Sequence, residues 1–197
     1  GSTEISVGPA DLTGPGRLRP HAVRSVDLGC VRVTERWLVD DPPAPAQLRD
    51  ARAAVDAELD ALAVAVPATT RARTLVGLAG TVSCLAALDQ GLETYDHALL
   101  HHYRLGAPRV EAILAGLAGE PAEARVRRPG MEPGRADVIV GGAVVLAAVM
   151  ARFGLATCLC SQSDILDGLI MSLRAQPPGA SSRGRALARR PASGERR

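Results

Sequence analysis

Residues 3–8 read as the end of a strand leaving a turn, and residues 23–28 alternate imperfectly between apolar Val23, Val26 and Leu28 and polar Arg24, Ser25 and Asp27, which predicts a second strand. The Gly/Pro-rich stretch 9–20 between them reads as a loop or hairpin tip. Val31, Val33, Trp37 and Leu38 fit a short helix over 31–39. The run Asp40-Asp41-Pro42-Pro43-Ala44-Pro45 breaks the chain and is expected to cap the next helix. Over 46–66, Leu48, Val55, Leu59, Leu62 and Val66 recur at helical spacing among Arg and Asp, predicting a long amphipathic helix.

Residues 74–79 form a short apolar run, read as a buried strand, and lead into a helix over 81–88. A second, weaker pair comes next: a strand over 101–105 and a helix over 108–117, with Pro108 in the first turn, where its missing N–H costs nothing. Residues 120–128 read as a short surface helix. The stretch 135–153 is apolar nearly all round, so it reads as a buried helix, then a strand over 156–160 and a last amphipathic helix over 163–173. Strands alternating with helices predict an α/β domain around a mostly parallel sheet.

Composition narrows this. The chain has 197 residues, 47% hydrophobic and 22% charged, enough to bury a core. Aromatics are only 2%, which argues against base-stacking nucleic-acid modules and leaves a core of Val, Leu, Ile and Ala. Net charge is +2, so the chain as a whole is no basic nucleic-acid binder. Every basic residue is Arg; with no Lys there is neither a Schiff base nor a P-loop lysine. The longest apolar run, 138–151, is too short for a bilayer, which needs about 20 residues, and a cytoplasmic protein is expected. Residues 174–197 carry seven Arg and three Pro and read as a disordered basic tail. The chain opens on Gly rather than Met, which reads as processing, tagging or truncation.

Candidate chemistry is sparse. Cys30, Cys84, Cys158 and Cys160 sit in apolar flanks without zinc spacing and read as buried reduced thiols. His97, His101 and His102 cluster near Asp96 but lack an accompanying metal motif and read as solvated. Three stretches place Gly and hydroxyl residues where the chain turns: Gly1-Ser2-Thr3-Glu4, Leu78-Ala79-Gly80-Thr81-Val82-Ser83, and Pro133-Gly134-Arg135-Ala136-Asp137. Helix N-termini expose unpaired N–H groups and bind anions. Residue types alone leave two readings for each: an anion-binding turn or an ordinary cap, and for Glu4 a carboxylate orienting a metal or water, or a solvated strand end.

Taken together the stretches carry a resemblance. Gly1-Ser2-Thr3-Glu4 resembles the tail of the D-x-G-G-G-S-T-E phosphate loop of the exopolyphosphatase/guanosine-pentaphosphate phosphatase (Ppx/GppA) family. The segment 25–35 is similar to that family's S-x-x-L-G-x-V-R-L-T-E, 80–88 to its G-T-x-x-x-L-A-x-L, 133–139 to P-x-R-A-D-x-I, and 163–169 to its closing S-x-x-x-x-x-G-L. Five motifs in order cover residues 1–173.

The resemblance implies an actin-like, ribonuclease-H-type domain with a mixed sheet flanked by helices, the second of two that close over a cleft, incomplete at its N-terminus. It implies removal of terminal phosphate from inorganic polyphosphate or guanosine pentaphosphate, with magnesium as cofactor. Gly1, Ser2, Thr3, Gly80 and Thr81 would hold phosphate, Arg135 would pair with one, and Glu4 would orient metal or water. The family's first domain, with its general base, is expected to be missing, so this chain alone is expected to catalyse poorly. A first-domain chain or a second copy is the expected partner, with no nucleic acid and no membrane. The alternative is a non-catalytic half-domain that binds polyphosphate or nucleotide, or regulates.

Overall fold

The computed structural model describes residues 1–9 and 20–174. The expected loop at 9–20 therefore lies almost wholly outside the described residues, as does the expected basic tail apart from Arg174. Two strands come first, β1 (Thr3–Val7) and β2 (Ala22–Val26), paired antiparallel with Glu4 opposite Ser25. Their period-2 pattern turns Ile5, Ala22 and Val26 onto the core and leaves Glu4 and Ser6 exposed. Helices α1 (Cys30–Trp37) and α2 (Pro45–Ala65) come after them, then a 3-10 turn at Pro67–Arg71.

Next come β3 (Leu75–Leu78), α3 (Gly80–Gln90), α4 (His97–Leu100), β4 (Arg104–Gly106) and α5 (Ala107–Ala118). The chain closes with α6 (Ala122–Arg125), a 3-10 turn at Pro133–Arg135, α7 (Ile139–Arg152), β5 (Thr157–Ser161) and α8 (Ile165–Arg174). The centre of the molecule is α7, packed by α1, α2, α3 and α5. It buries 11 of its 14 residues, which explains why its sequence shows no polar face.

Among the described residues the strands form two sheets, the β1–β2 hairpin and a three-stranded sheet in the order β3-β5-β4. β3 runs parallel to β5, whereas β4 runs antiparallel to it. The expected mostly parallel sheet is thus a mixed one, with β4 entering its edge antiparallel after a tight turn. His102 sits at φ 66 there, and its N–H bonds the Cys160 carbonyl at 2.7 Å. Nor is β3 a fully buried strand. Leu75 and Gly77 face the core, while Val76 and Leu78 remain 51% and 49% exposed.

Other expectations shift for local reasons. The strand expected at 101–105 begins only at Arg104, because His101 and His102 form a turn after α4, with His102 at φ 66. The buried helix begins at Ile139 rather than 135, since Arg135 and Val138 make i→i−3 bonds typical of a 3-10 turn.

The stretch 120–128 is not a simple surface helix. Arg125 is 2% exposed and donates to the carbonyls of Leu117 (2.7 Å) and Ala136 (3.0 Å) and to Asp41 (2.8 Å). Asp41 does not cap α2. Its other oxygen accepts from the N–H of Ala122 at 2.8 Å, capping α6, and Gln47 takes the α2 role by accepting from the N–H of Ala44 at 3.1 Å. Arg125 therefore ties the end of α5 to the segment that carries Arg135.

Candidate functional site

The N-terminal ends of α1, α3 and α7 meet. Gly29, the residue before α1, lies so close to Gly1 that a Cβ on it would overlap the Gly1 carbonyl group. Cys30 opens α1 and faces α7. A Cβ on Gly142 would stand 3.2 Å from Cys30 Cβ, 2.7 Å from Thr81 Cγ2 and 2.8 Å from Thr81 Oγ1. A Cβ on Gly141 would crowd Thr34 Oγ1 and the Cys30 carbonyl at 2.6 and 2.7 Å. The adjacent glycines in α7 are thus what lets α1 and α3 approach it. Each costs about 1 kcal/mol of helix propensity relative to Ala, so their place inside an apolar helix is the sequence signal for this contact.

None of the three helices has a side-chain cap or an acidic residue in its first turn. Their first N–H groups lack intrahelical partners and their dipoles favour negative charge. Two arginines add to this. Arg32 Nε donates to the Gly1 carbonyl at 3.2 Å, and Arg135 lays its guanidinium over Gly80, in the space a Cβ would need. Arg135 is ion-paired with Glu132. The segment before it runs along α3, where a Cβ on Gly130 (φ 89) would overlap the backbone of Ala87.

Ala79, which joins β3 to α3, has φ 71 and ψ 177, a backbone region that is nearly Gly-only and costs of order 1–3 kcal/mol. The strain aims the start of α3 out of the carboxyl end of β3, where ligands of open α/β sheets bind. Ser83, one turn on, accepts from Gln162 Nε2 at 2.9 Å. Gln162 comes directly after β5, and its backbone N–H donates to His101 Nδ1 at 3.1 Å while its side chain accepts from the Tyr95 hydroxyl. The histidine cluster is thus built into the strand ends: His97, His101 and His102 stack on one another. Among the described residues no group of three or more His, Cys, Asp or Glu is placed to hold a metal.

The structure joins Gly1 to Gly29 at the start of α1, and Gly80 to Arg135. Ser2 and Glu4 stand to one side, on the exposed face of the hairpin. Ser2 Oγ (2.5 Å) and Ser25 Oγ (3.1 Å) both donate to Glu4 Oε1, and these two bonds, Ser2 first, hold the carboxyl below its ordinary 4.5. Gly80, Thr81 and Arg135 are not among Glu4's partners. Glu4 lies about 10 Å along the strand from Gly1, at about 3.3 Å per residue. The Thr3 hydroxyl donates to the Leu28 carbonyl, pinning the hairpin to the turn before α1. Residue types did not single out Gly29, Cys30, Arg32, Glu132, Gly141, Gly142 or Gln162 as site residues. Only the Gly141-Gly142 pair carries a local signal.

The four cysteines are free; Cys84, Cys158 and Cys160 are buried and Cys30 half-buried. Burial pushes the Cys158 thiol up to about 11.

The Ppx/GppA phosphatase family matches residues 1–176. The chain belongs to this family. Exopolyphosphatase 2 of Mycobacterium tuberculosis is 39% identical over 88% of this chain and 53% of its own length. Exopolyphosphatase 1 of Mycobacterium leprae is 27% identical over 85% of this chain and 49% of its own length. The crystal structure of an exopolyphosphatase-like protein superposes with a TM-score of 0.81 at 32% identity, covering 89% of this chain and 58% of that one. The Aquifex aeolicus PPX-GPPA enzyme superposes with a TM-score of 0.75 at 25% identity, covering 87% and 54%. The chain spans about half the length of these Ppx/GppA relatives. Its fold is theirs, an actin-like α/β domain with a mixed sheet flanked by helices. No helix among the described residues is long and apolar enough to cross a membrane.

Proposed function

We propose that this chain forms one wall of an exopolyphosphatase site, which removes the terminal phosphate of inorganic polyphosphate, with guanosine pentaphosphate as the second substrate class. The observation that carries this reading is that two uncapped helix N-termini without an acidic residue in their first turn, at Gly29-Cys30 and Gly80-Thr81, are brought together across Gly141-Gly142 of α7 and bordered by Arg32 and Arg135. Such a wall presents backbone donors and guanidinium groups to a row of phosphate oxygens. Phosphoryl transfer rests on positioning and charge neutralisation rather than on a covalent nucleophile.

In this reading Gly1, Ser2 and Gly80 bring backbone amides close to phosphate, the Thr81 hydroxyl donates to it, and Arg135 pairs with it bidentately, while the Ser2 hydroxyl stays on Glu4. The Thr3 hydroxyl mainly holds the turn in shape through Leu28. Glu4, kept ionised by its two serines, orients the attacking water. The donor set fits magnesium in part. That ion takes one or two carboxylates plus substrate phosphates, and Glu4 is the carboxylate this chain offers. Bound there, magnesium would neutralise charge on the phosphate oxygens.

A second reading rests on the length comparison. Because these residues span about half of the relatives they match, they would by themselves bind polyphosphate without hydrolysing it, the cleft being completed by a further domain or a second copy. Phosphate release from long-chain polyphosphate with magnesium, measured for this chain alone and with the N-terminal half of a relative added, separates the two. Release only in the mixture supports the half-site; release from the chain alone contradicts it; release in neither, together with no polyphosphate binding, removes both readings.

A further inference from the structure

Arg135 stands in an electrostatically awkward place. Its guanidinium lies over Gly80, the first residue of α3, whose N-terminal end carries a partial positive charge and no acidic residue in its first turn. A cation beside unpaired N–H groups is repelled unless an anion sits with them. Glu132 supplies that anion: its Oε2 pairs with Arg135 Nε. The two are held three residues apart by the 3-10 turn, in which the Arg135 N–H also bonds the Glu132 carbonyl at 2.9 Å.

This pairing is weak by its exposure. The Glu132 side chain is 57% exposed and that of Arg135 29%, and solvent-exposed ion pairs contribute only about 0.2–1 kcal/mol. A phosphate group carries more charge and more acceptor oxygens, matches the guanidinium fork bidentately, and accepts from the α3 N–H groups as well.

We infer that Glu132 is the resident counter-ion of the anion site, holding Arg135 across Gly80 and yielding it to an incoming phosphate group. Glu132 is therefore a positioning residue that sets substrate affinity by opposing it. The inference rests on the proposed polyphosphate site. It implies that removing the carboxylate strengthens binding, the reverse of what loss of a supporting contact would do.

The test is titration calorimetry of the full chain with inorganic tripolyphosphate, without divalent metal, in the wild type and in Glu132→Gln, Glu132→Asp and Arg135→Ala. Melting temperatures serve as the folding check. Glu132→Gln is expected to bind about twofold to fivefold more tightly, the range of one partly exposed ion pair. Glu132→Asp should return to the wild-type value, and Arg135→Ala should bind about tenfold more weakly. Unchanged or weaker binding by a folded Glu132→Gln overturns the counter-ion role while a measurable wild-type affinity keeps the proposed site. Absence of binding by the wild type and by Glu132→Gln alike overturns both. Should Glu132→Gln fail to fold, Glu132→Ala decides: tighter tripolyphosphate binding than the wild type supports the exchange, and equal or weaker binding by the folded variant overturns it.

Discussion

The guanidinium of Arg135 occupies the space that a side chain at Gly80 would require. Gly80→Ala should therefore move Arg135 rather than break the fold. Alanine gains about 0.5–1 kcal/mol of helix propensity, and the displaced atoms end a long, flexible chain. Urea unfolding should show stability within about 1 kcal/mol of wild type, while tripolyphosphate affinity falls as for loss of Arg135.

Gly142→Ala should behave in the opposite way. Its new methyl would meet Thr81 at 2.7 Å and Cys30 Cβ at 3.2 Å inside packed helices. Overpacking of this kind costs about 1–3 kcal/mol. A lowered denaturation midpoint with an unchanged slope would confirm it, and anion affinity should fall because Thr81 is driven off its position.

Ala79 holds a conformation suited to glycine. Ala79→Gly is expected to raise stability by about 1 kcal/mol through relief of strain, less the entropy that glycine adds to the unfolded chain. An equal or lower unfolding free energy would mean that this backbone is not strained.

Arg125 is the buried tie between α5, Asp41 and the Arg135 segment. Arg125→Met leaves two carbonyls and a carboxylate without their partner and should cost about 3 kcal/mol or more. Asp41→Ala strands a buried guanidinium and should cost at least as much. Chemical denaturation of both variants checks the ordering.

The protonation states support two titrations. Glu4 should titrate below 4.5 by carboxyl NMR, and Ser25→Ala should bring it back toward 4.5. Because its folded value is depressed, the stability Glu4 contributes is present above the unfolded value and is lost as pH falls through the folded one. With the Cys158 thiol raised to about 11 and three cysteines buried, native protein at pH 8 should yield one fast-reacting thiol, Cys30, and four after denaturation.

The sequence by itself determined the order of the major elements and the family. Helical periodicity marks α2, a continuous apolar run marks α7, and short motifs around Gly1, Gly80 and Arg135 carry the family resemblance, because all of these depend on neighbours along the chain. It also marked Gly80 and Arg135 separately. Only the tertiary structure decided that they touch, that Glu132 pairs with Arg135 at the start of α3, and that Gly141-Gly142 lets three helix ends converge. It alone buried Arg125 in a stretch that reads as polar surface, and turned Asp41 from a cap of α2 into the cap of α6. The reason is physical: periodicity reports which face of an element is apolar, whereas the partner of a charge or of a glycine is fixed by packing between elements distant in sequence.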